Sequence, residues 1–206
     1  MSEIYHANDA AIDGELSFLL ECDKMKSILR RTMLADYSRR ENDAEHSWHL
    51  ALSAILLQEY AEEGMDLSRV IPMVLIHDLV EIDAGDTYAY DAAGLSTQAE
   101  RERKAADRIF GILPEDQGAQ FRALWEEFEE YRSPDARYAH LLDNFQPLLL
   151  NDASDGKSWT EHQVKKSQIY RRNRYIPEIS GEIWKEMSSR IEKHVELGHI
   201  VDDLKE

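Results

Sequence analysis

A histidine and an aspartate stand side by side at positions 77 and 78, separated only by Ile76 from a mostly apolar run, Val70 to Leu75. An aspartate is seldom buried without a partner, because an unpaired buried charge costs several kcal/mol or more. A salt bridge, a hydrogen-bond network or a metal ion would satisfy the pair. Alternatively, both side chains lie near the solvent-facing end of their helix. The dipeptide alone leaves these alternatives open.

Two further segments carry ionisable side chains on otherwise apolar helical patterns. His46 lies in the first turn of an amphipathic helix in "NDAEHSWHL", and Asp143 interrupts the apolar pattern of "HLLDNFQPLLL". Pro147 follows Asp143 by four residues, so its ring removes a hydrogen bond to the Asp143 carbonyl and clashes with it. We therefore expect a kink at Asp143. The alternative is that a new helix begins at Pro147.

Together these segments supply two imidazoles and two carboxylates from three predicted helices. The set is His46, His77, Asp78 and Asp143. Nitrogen and oxygen ligands of this kind suit one divalent ion, which could be Mn²⁺, Co²⁺, Fe²⁺, Zn²⁺ or Mg²⁺. Four protein ligands on an octahedral ion leave two positions for water and a substrate oxygen. The sequence thus predicts a catalytic metal site whose native ion it does not identify.

The elements that must position these residues have helical periodicity nearly throughout. Helices are predicted near 15–31, 43–62, 67–84, 97–112, 115–131, 135–152, 160–173 and 177–197. Asn42 and Glu45 fit a capping box, and Gly64 and Gly85 are expected to end the second and third helices. Strand-like alternation is absent, so we predict an all-α, single-domain helical bundle. A polar segment, 1–14, would precede a domain over 15–200, with core motifs in 30–150 and C-terminal helices in 160–198.

The composition excludes several classes of partner. The net charge is −17, from 41 acidic against 24 basic residues. Such a surface repels a nucleic-acid backbone and an anionic membrane, although a small anionic substrate could still bind a locally positive cleft. No run of about 18 apolar residues occurs, so we expect neither a membrane span nor a secretory leader. The single cysteine, Cys22, favours a reducing cytoplasm.

Three sequence blocks in this order resemble the HD-domain metal-dependent phosphohydrolases. They are "RRENDAEHS" (39–47), "HDLVEIDAGD" (77–86) and "LLDNFQ" (141–146), within a similarity that runs from about residue 17 to about residue 150. Their details are similar to the branch that contains the 5′-deoxynucleotidases. The resemblance implies the HD-type bundle, a homodimer, and hydrolysis of a small nucleotide, above all a (deoxy)nucleoside 5′-monophosphate.

The same resemblance implies roles for two acids that are not ligands. Glu81 and Asp86 match residues that assist catalysis in this family. Glu81 follows His77 by four positions, so both project from one helical face. A carboxylate there could accept a proton from the attacking water, and Asp86 could orient Glu81 or manage the proton of the leaving oxygen. Without the resemblance, both would be read as solvated loop acids.

The resemblance also places substrate-binding residues in the basic segment before the first block. Arg31 matches the arginine that holds the substrate phosphate, and a guanidinium fork suits phosphate oxygens. Arg30 is the rival if the alignment slips by one. Thr32 stands where this branch has an aromatic residue, which leaves selectivity for the sugar open.

The sequence also allows other interpretations. The substrate could be a nucleoside triphosphate, a cyclic nucleotide or an alarmone, or the protein could sense nucleotides without catalysis. The tyrosines of "TYAYD" (87–91) could face a base or pack. His49 and His140 are interpreted as residues that pack or hydrogen-bond on their helices, and His140 could also support a metal ligand. The stretch "KKSQIYRRNRY" (165–175) is interpreted as a solvated helix face that could close over an anion.

Overall fold

A computed structural model describes residues 9–90 and 92–205, and the described chain is a bundle of helices with one small hairpin. The helices are α1 (Asp9–Cys22), α2 (Asp43–Leu56), α3 (Leu67–Ile76), α4 (Glu81–Ala84), α5 (Ala92–Phe110), α6 (Glu115–Glu130), α7 (Pro134–Ala153), α8 (Lys157–Glu161), α9 (Lys166–Arg172), α10 (Ile176–Ile179) and α11 (Gly181–Glu196). Two 3₁₀ turns cover Asp23–Ser27 and Gln58–Tyr60. The predicted all-α class is confirmed. Residues 1–8 of the expected polar segment lie outside the described residues.

The hairpin departs from the predicted element types. Strand β1 (Leu29–Met33) pairs antiparallel with β2 (Arg40–Asn42), whereas a helix was predicted to residue 31 and no strand at all. Along β1, Arg30 is half-buried, Arg31 exposed and Thr32 buried. The two strands have five and three residues, which is too short for an alternation of apolar and polar residues to be recognised in the sequence. The pairing nevertheless places neighbouring side chains of β1 on opposite faces.

The core lies where α2, α3 and α7 pack together. Its fully buried members include Leu50, Ala54, Val70, Met73, Val74, Tyr138, Leu141 and Leu142. The Tyr138 hydroxyl donates a hydrogen bond to the Ala54 carbonyl, 3.2 Å away, so the one polar atom of this buried ring is satisfied. This packing brings the first turn of α2, the end of α3 and the middle of α7 to one place.

The predicted helix 67–84 is broken between α3 and α4. The Leu79 amide bonds the Ile76 carbonyl at 3.1 Å, and the Glu81 amide bonds that of Asp78 at 2.9 Å. These contacts span three residues rather than four, which tightens the chain at this point. Gly85, at φ 74°, then ends α4 as expected. His77 and Asp78 therefore lie in a turn at the end of a buried helix.

Two local predictions at the other helices have different outcomes. The capping box at α2 is confirmed, because Asn42 Oδ1 accepts from the Glu45 amide at 3.0 Å and the Glu45 carboxylate accepts from the Asn42 amide at 3.3 Å. The new helix considered at Pro147 is not observed, because α7 continues through it from Pro134 to Ala153. Within the described residues, no helix has the length and apolar character needed to cross a bilayer.

Candidate metal centre

Three of the predicted metal-ligating side chains converge in the interior. His46 Nε2 lies 3.0 Å from Asp143 Oδ1, and His77 Nε2 lies 3.9 Å from the same oxygen. Both imidazoles are buried. One ligand atom from each residue falls within 4.8 Å of the other two, which is the geometry of a site for one cation. The residues come from α2, the end of α3 and α7.

The fourth predicted ligand, Asp78, lies against both histidines. Its Oδ1 is 3.1 Å from His77 Nε2, and its Oδ2 is 3.9 Å from His46 Nε2. The tight turn after α3 makes this possible, because consecutive residues of a regular helix would project about 100° apart. The structure therefore brings all four side chains together.

The ring of His46 has its lone pair directed at a carboxylate. The Gln146 amide nitrogen donates to Glu41 at 2.6 Å, which turns the amide oxygen of Gln146 toward His46 Nδ1, 3.0 Å away. His46 Nδ1 must then carry the proton, and in the neutral ring Nε2 has a lone pair. That lone pair faces Asp143 Oδ1 at 3.0 Å. Two acceptors at this distance require a shared cation, either a proton or a metal ion.

The ring of His77 has the same tautomer for a different reason. Its Nδ1 donates to the Val74 carbonyl at 2.9 Å, while the buried Nε2 lies 3.1 Å from Asp78 Oδ1 without the geometry of a hydrogen bond. A buried nitrogen without a partner is costly in an apolar interior. A fixed Nδ1–H with a free Nε2 lone pair is the state in which histidine coordinates metals. The residues present therefore fit a divalent metal ion.

The electrostatics of the cluster agree with this fit. Burial opposes the protonation of His77, but Asp78 and Asp143 outweigh it and raise the pKa of His77 to about 10. Burial and the charge of Arg30 oppose the protonation of His46, yet Asp143 and Glu41 raise its pKa as well. Burial would raise the pKa of Asp143, but the two imidazoles hold it well below its ordinary value. The cluster thus attracts positive charge strongly.

A second group of carboxylates surrounds the half-buried Arg30 beside the imidazoles. Arg30 Nη1 lies 2.7 Å from Asp78 Oδ2 and 3.4 Å from Asp43 Oδ1. Asp43 is completely buried, and its carboxylate lies within 4.8 Å of those of Asp78 and Glu81. One guanidinium does not neutralise three carboxylates. Burial and the charge of Asp78 raise the pKa of Asp43 to about 7, and a bound cation would relieve the same crowding of carboxylates.

Glu81 and Asp86 lie on the wall of the cavity that opens from this cluster. One oxygen of Glu81 is buried without a hydrogen-bond partner. Burial first, and then the charges of Asp78 and Asp43, raise the pKa of Glu81 well above its ordinary value. Burial also raises the pKa of Asp86, against the opposing charge of Arg30. Neither residue is a solvated loop acid.

The two candidate arginines have different environments. Arg30 points into the carboxylate cluster, whereas Arg31 is exposed at the cavity. In the part of the chain that the structure describes, Arg31 forms no hydrogen bond or ion pair, so its donors are available to a ligand. Thr32 is buried and also lines the cavity.

The cavity has a volume of about 390 Å³ and combines the polar cluster with an aromatic wall. Four tyrosines contribute to this wall, namely Tyr88, Tyr90, Tyr131 and Tyr175. Tyr88 and Tyr90 pack edge to face with ring centroids 5.3 Å apart, and the rings of Tyr131 and Tyr175 lie 5.7 Å apart. The volume is within the usual range for small-molecule sites. The tyrosines of "TYAYD" therefore both face the cavity and pack.

Sequence reasoning missed several residues of the site. Asp43, Glu41 and Gln146 were not predicted to belong to the site. A signal was present, because Asp43 precedes His46 by three positions and Gln146 follows Asp143 by three, which places each on the same helical face as a predicted ligand.

The basic segment 165–175 is only partly the solvated face that was expected. Lys165 and Arg171 are exposed, but the stretch 172–175 lines the cavity. His140 is a packing residue, as expected. Its ring stacks on Phe128 at 3.9 Å, and its Nε2 donates to the Phe128 carbonyl at 2.8 Å.

A family model described as an HD domain matches residues 22–184 of this chain. The crystal structure of a "predicted metal-dependent phosphohydrolase" from Magnetospirillum magnetotacticum MS-1 superposes with a TM-score of 0.90 and 44% sequence identity. That likeness covers 96% of this chain and 100% of the other.

Curated relatives are similar over a shorter span. The 5′-deoxynucleotidase HDDC2 of Homo sapiens is 27% identical over 135 residues, which is 65% of this chain and 65% of the human protein. The protein of the same name from Danio rerio is 25% identical over 139 residues, or 67% of this chain and 68% of that one. The match to the human relative thus spans slightly less than two thirds of its length.

Proposed function

The chain belongs to the HD-domain family, and on that premise we propose that it is a divalent-metal-dependent phosphohydrolase that releases phosphate from a small nucleotide. The observation that carries the proposal is the pair of imidazole lone pairs directed at Asp143, next to a cavity of about 390 Å³. The phosphohydrolase description of the 44% identical structure supports it.

His46, His77, Asp78 and Asp143 would hold the ion. When bound, the ion supplies a Lewis acid that polarises the phosphoryl group and lowers the pKa of a coordinated water. Gln146 and the Val74 carbonyl accept from Nδ1 of His46 and His77, so both Nε2 atoms already face the position of the ion, which would displace the proton held there. Such preorganisation reduces the cost of binding and of reaction.

Arg31 and the two cavity acids complete the proposed chemistry. The free guanidinium of Arg31 binds the substrate phosphate at the cavity and offsets charge as water attacks phosphorus. Glu81, whose second oxygen has no partner, accepts the proton of that water. Asp86 either orients Glu81 or manages the proton of the leaving oxygen.

A nucleoside 5′-monophosphate is the substrate class that the cavity favours. The tyrosine wall offers flat apolar surfaces against which a base can stack, and the polar cluster takes the phosphate. The curated relatives are named 5′-deoxynucleotidases, which supports the same class. Thr32 lines the cavity in place of an aromatic residue, so we leave the choice between ribose and deoxyribose open.

A panel of phosphate esters, assayed with Mn²⁺ or Co²⁺, tests this proposal. We expect phosphate release from nucleoside monophosphates in preference to triphosphates, cyclic nucleotides and alarmones. Asp143→Asn should lose metal content and turnover together, whereas Glu81→Gln should keep the metal and lose at least about 100-fold in kcat. Glu100→Gln, at an exposed position of α5, is the matched control.

Two results would count against the proposal. Turnover of the Glu81→Gln protein at the wild-type rate would remove the role given to Glu81. If metal-loaded wild-type protein hydrolyses no ester of the panel but binds nucleotides tightly, the chain senses nucleotides instead.

A further inference from the structure

We infer that Arg172 is a second arginine that contacts the substrate phosphate, in addition to Arg31. This inference rests on the proposed function, because it names a further contact of the same site. Arg172 is the last residue of α9, in the basic segment whose end lines the cavity.

Arg172 is fixed at the outer edge of the candidate metal centre. Its Nε donates to Asn144 Oδ1 at 2.6 Å, and Asn144 is the residue after Asp143 on α7. Its Nη2 lies 3.6 Å from Asp143 Oδ2. The other oxygen, Oδ1, is the one near the imidazoles. The guanidinium therefore lies beside the centre, on the side of Asp143 away from the histidines.

The donors of Arg172 are available, in contrast to those of Arg30. The Nη1 group of Arg30 contacts the carboxylates of Asp78 and Asp43, and the side chain is only 12% exposed. Arg172 is 37% exposed, its distance from Asp143 exceeds that of a hydrogen bond, and its Nη1 forms no hydrogen bond within the described residues. Because a neutral amide holds Nε, the two terminal amino groups can bind two oxygens of one phosphate.

The negative charge of the expected ligand favours a second contact with a guanidinium. A phosphate monoester is largely a dianion near neutral pH, and the cavity wall contains several acids, among them Asp86, Glu102 and Glu129. Arg31 on β1 and Arg172 on α9 are cavity-lining guanidiniums that form no hydrogen bond with a carboxylate. Together they would balance the dianion from two separate elements.

A purely structural role for Arg172 makes a different prediction. If Arg172 only orients Asp143, its removal should weaken the binding of the metal ion and the binding of phosphate together. If Arg172 contacts phosphate, its removal should weaken phosphate binding and leave the metal affinity nearly unchanged. Metal affinity and phosphate affinity therefore have to be measured separately.

The experiment uses the full chain as wild type, Arg172→Gln, Arg172→Lys and the control Arg171→Gln, whose exposed side chain is not on the cavity. Mn²⁺ affinity is measured by competition with a chelator, and inorganic phosphate binding to the Mn²⁺-loaded protein by calorimetry. In Arg172→Gln we expect phosphate to bind about 10- to 100-fold more weakly, as for the loss of a charge-assisted contact. Mn²⁺ affinity should change by less than about threefold. The phosphate affinity of Arg172→Lys should lie between those of the wild type and Arg172→Gln. Arg171→Gln should bind phosphate and Mn²⁺ as the wild type does.

The inference is overturned if Arg172→Gln binds phosphate as the wild type does, if its Mn²⁺ affinity falls as far as its phosphate affinity, or if the Mn²⁺-loaded wild type binds no phosphate. Ester hydrolysis by the wild type, followed separately, tests the proposed function. A wild type that hydrolyses nothing, beside an Arg172→Gln protein that has lost phosphate binding, would overturn that function and support the contact. An Arg172→Gln protein that hydrolyses esters with unchanged KM and binds phosphate with unchanged affinity would support the proposed function and overturn the contact.

Discussion

The imidazole of His46 is oriented by Gln146, a residue 100 positions further along the chain. The amide of Gln146 has only one useful orientation, because its nitrogen donates to Glu41 at 2.6 Å and approaches His49 Nδ1 at 3.0 Å. Its oxygen must then accept from His46. Three side chains thereby decide which nitrogen of His46 faces Asp143, and this decides whether the ring can bind a metal ion.

Replacing Gln146 by leucine should therefore weaken metal binding without removing a ligand. We expect Gln146→Leu to bind Mn²⁺ about 10- to 100-fold more weakly, as is usual when the partner of a ligating histidine is lost. Chelator competition measures this change. Gln117→Leu is the control, because Gln117 bonds Glu15 away from the cavity. Unchanged Mn²⁺ affinity in Gln146→Leu would contradict the orienting role.

The sequence indicated the residue types and the order of the ligating blocks, and the structure brings those residues together. Their role as ligands stays a prediction. Contacts across the fold, such as Gln146 with Glu41 or Arg172 with Asn144, could not be predicted, because the distance along the chain carries no information on which side chains meet. Asp43 could have been predicted, since its spacing from His46 places both residues on one face of α2.

At the scale of elements, local sequence signals predicted the helices, whereas tertiary packing determines where the helices break. The capping box of α2 was predicted because Asn42 and Glu45 satisfy each other's neighbouring amides within one turn. The break after Ile76 was not, because the apolar pattern continues through Leu79 and Val80, which are buried. The hairpin at β1 was missed for a related reason: its strands are stabilised by each other and not by their own propensity.

The attachment of α11 to α7 should depend on pH. Asp152 on α7 accepts hydrogen bonds from Lys193 at 2.8 Å and His194 at 3.0 Å, and from Arg190. Burial would raise the pKa of Asp152, but these partners outweigh it and lower the pKa to about 2. The unfolded chain would have a pKa near 3.9. The ion pairs therefore stabilise the fold above about pH 4, and this contribution is lost as the pH falls toward 2.

Asp152→Asn should accordingly lower the free energy of unfolding by about 2 kcal/mol at pH 6, and the difference from wild type should shrink below about pH 4. Urea unfolding at a series of pH values measures it. Asp116→Asn, at an exposed position of α6, should show no such pH-dependent difference. A difference that stays constant down to pH 3 would refute the assignment.

At the scale of the whole molecule, the candidate centre joins elements that are far apart in sequence. The cluster at α2, the end of α3 and α7 holds buried carboxylates and the His77 Nε2 atom, which forms no hydrogen bond, within a chain whose net charge is −17. Groups of this kind weaken a fold unless a cation joins them. The homodimer and the cytoplasmic location expected from the sequence stay predictions.

A divalent ion should therefore stabilise the entire fold, and not only the site. An ion that binds the folded chain alone at 100 times its Kd adds about 2.7 kcal/mol. For a domain of this size, the Tm should rise by about 5 to 10 °C on loading with Mn²⁺, and a chelator should reverse the change. Asp143→Asn should show a much smaller rise, because it lacks the carboxylate that both imidazoles face. The control Glu100→Gln should respond as the wild type does. An equal rise in the Asp143→Asn protein would mean that the stabilising ion binds elsewhere, since the two histidines and Asp78 alone would hold it more weakly.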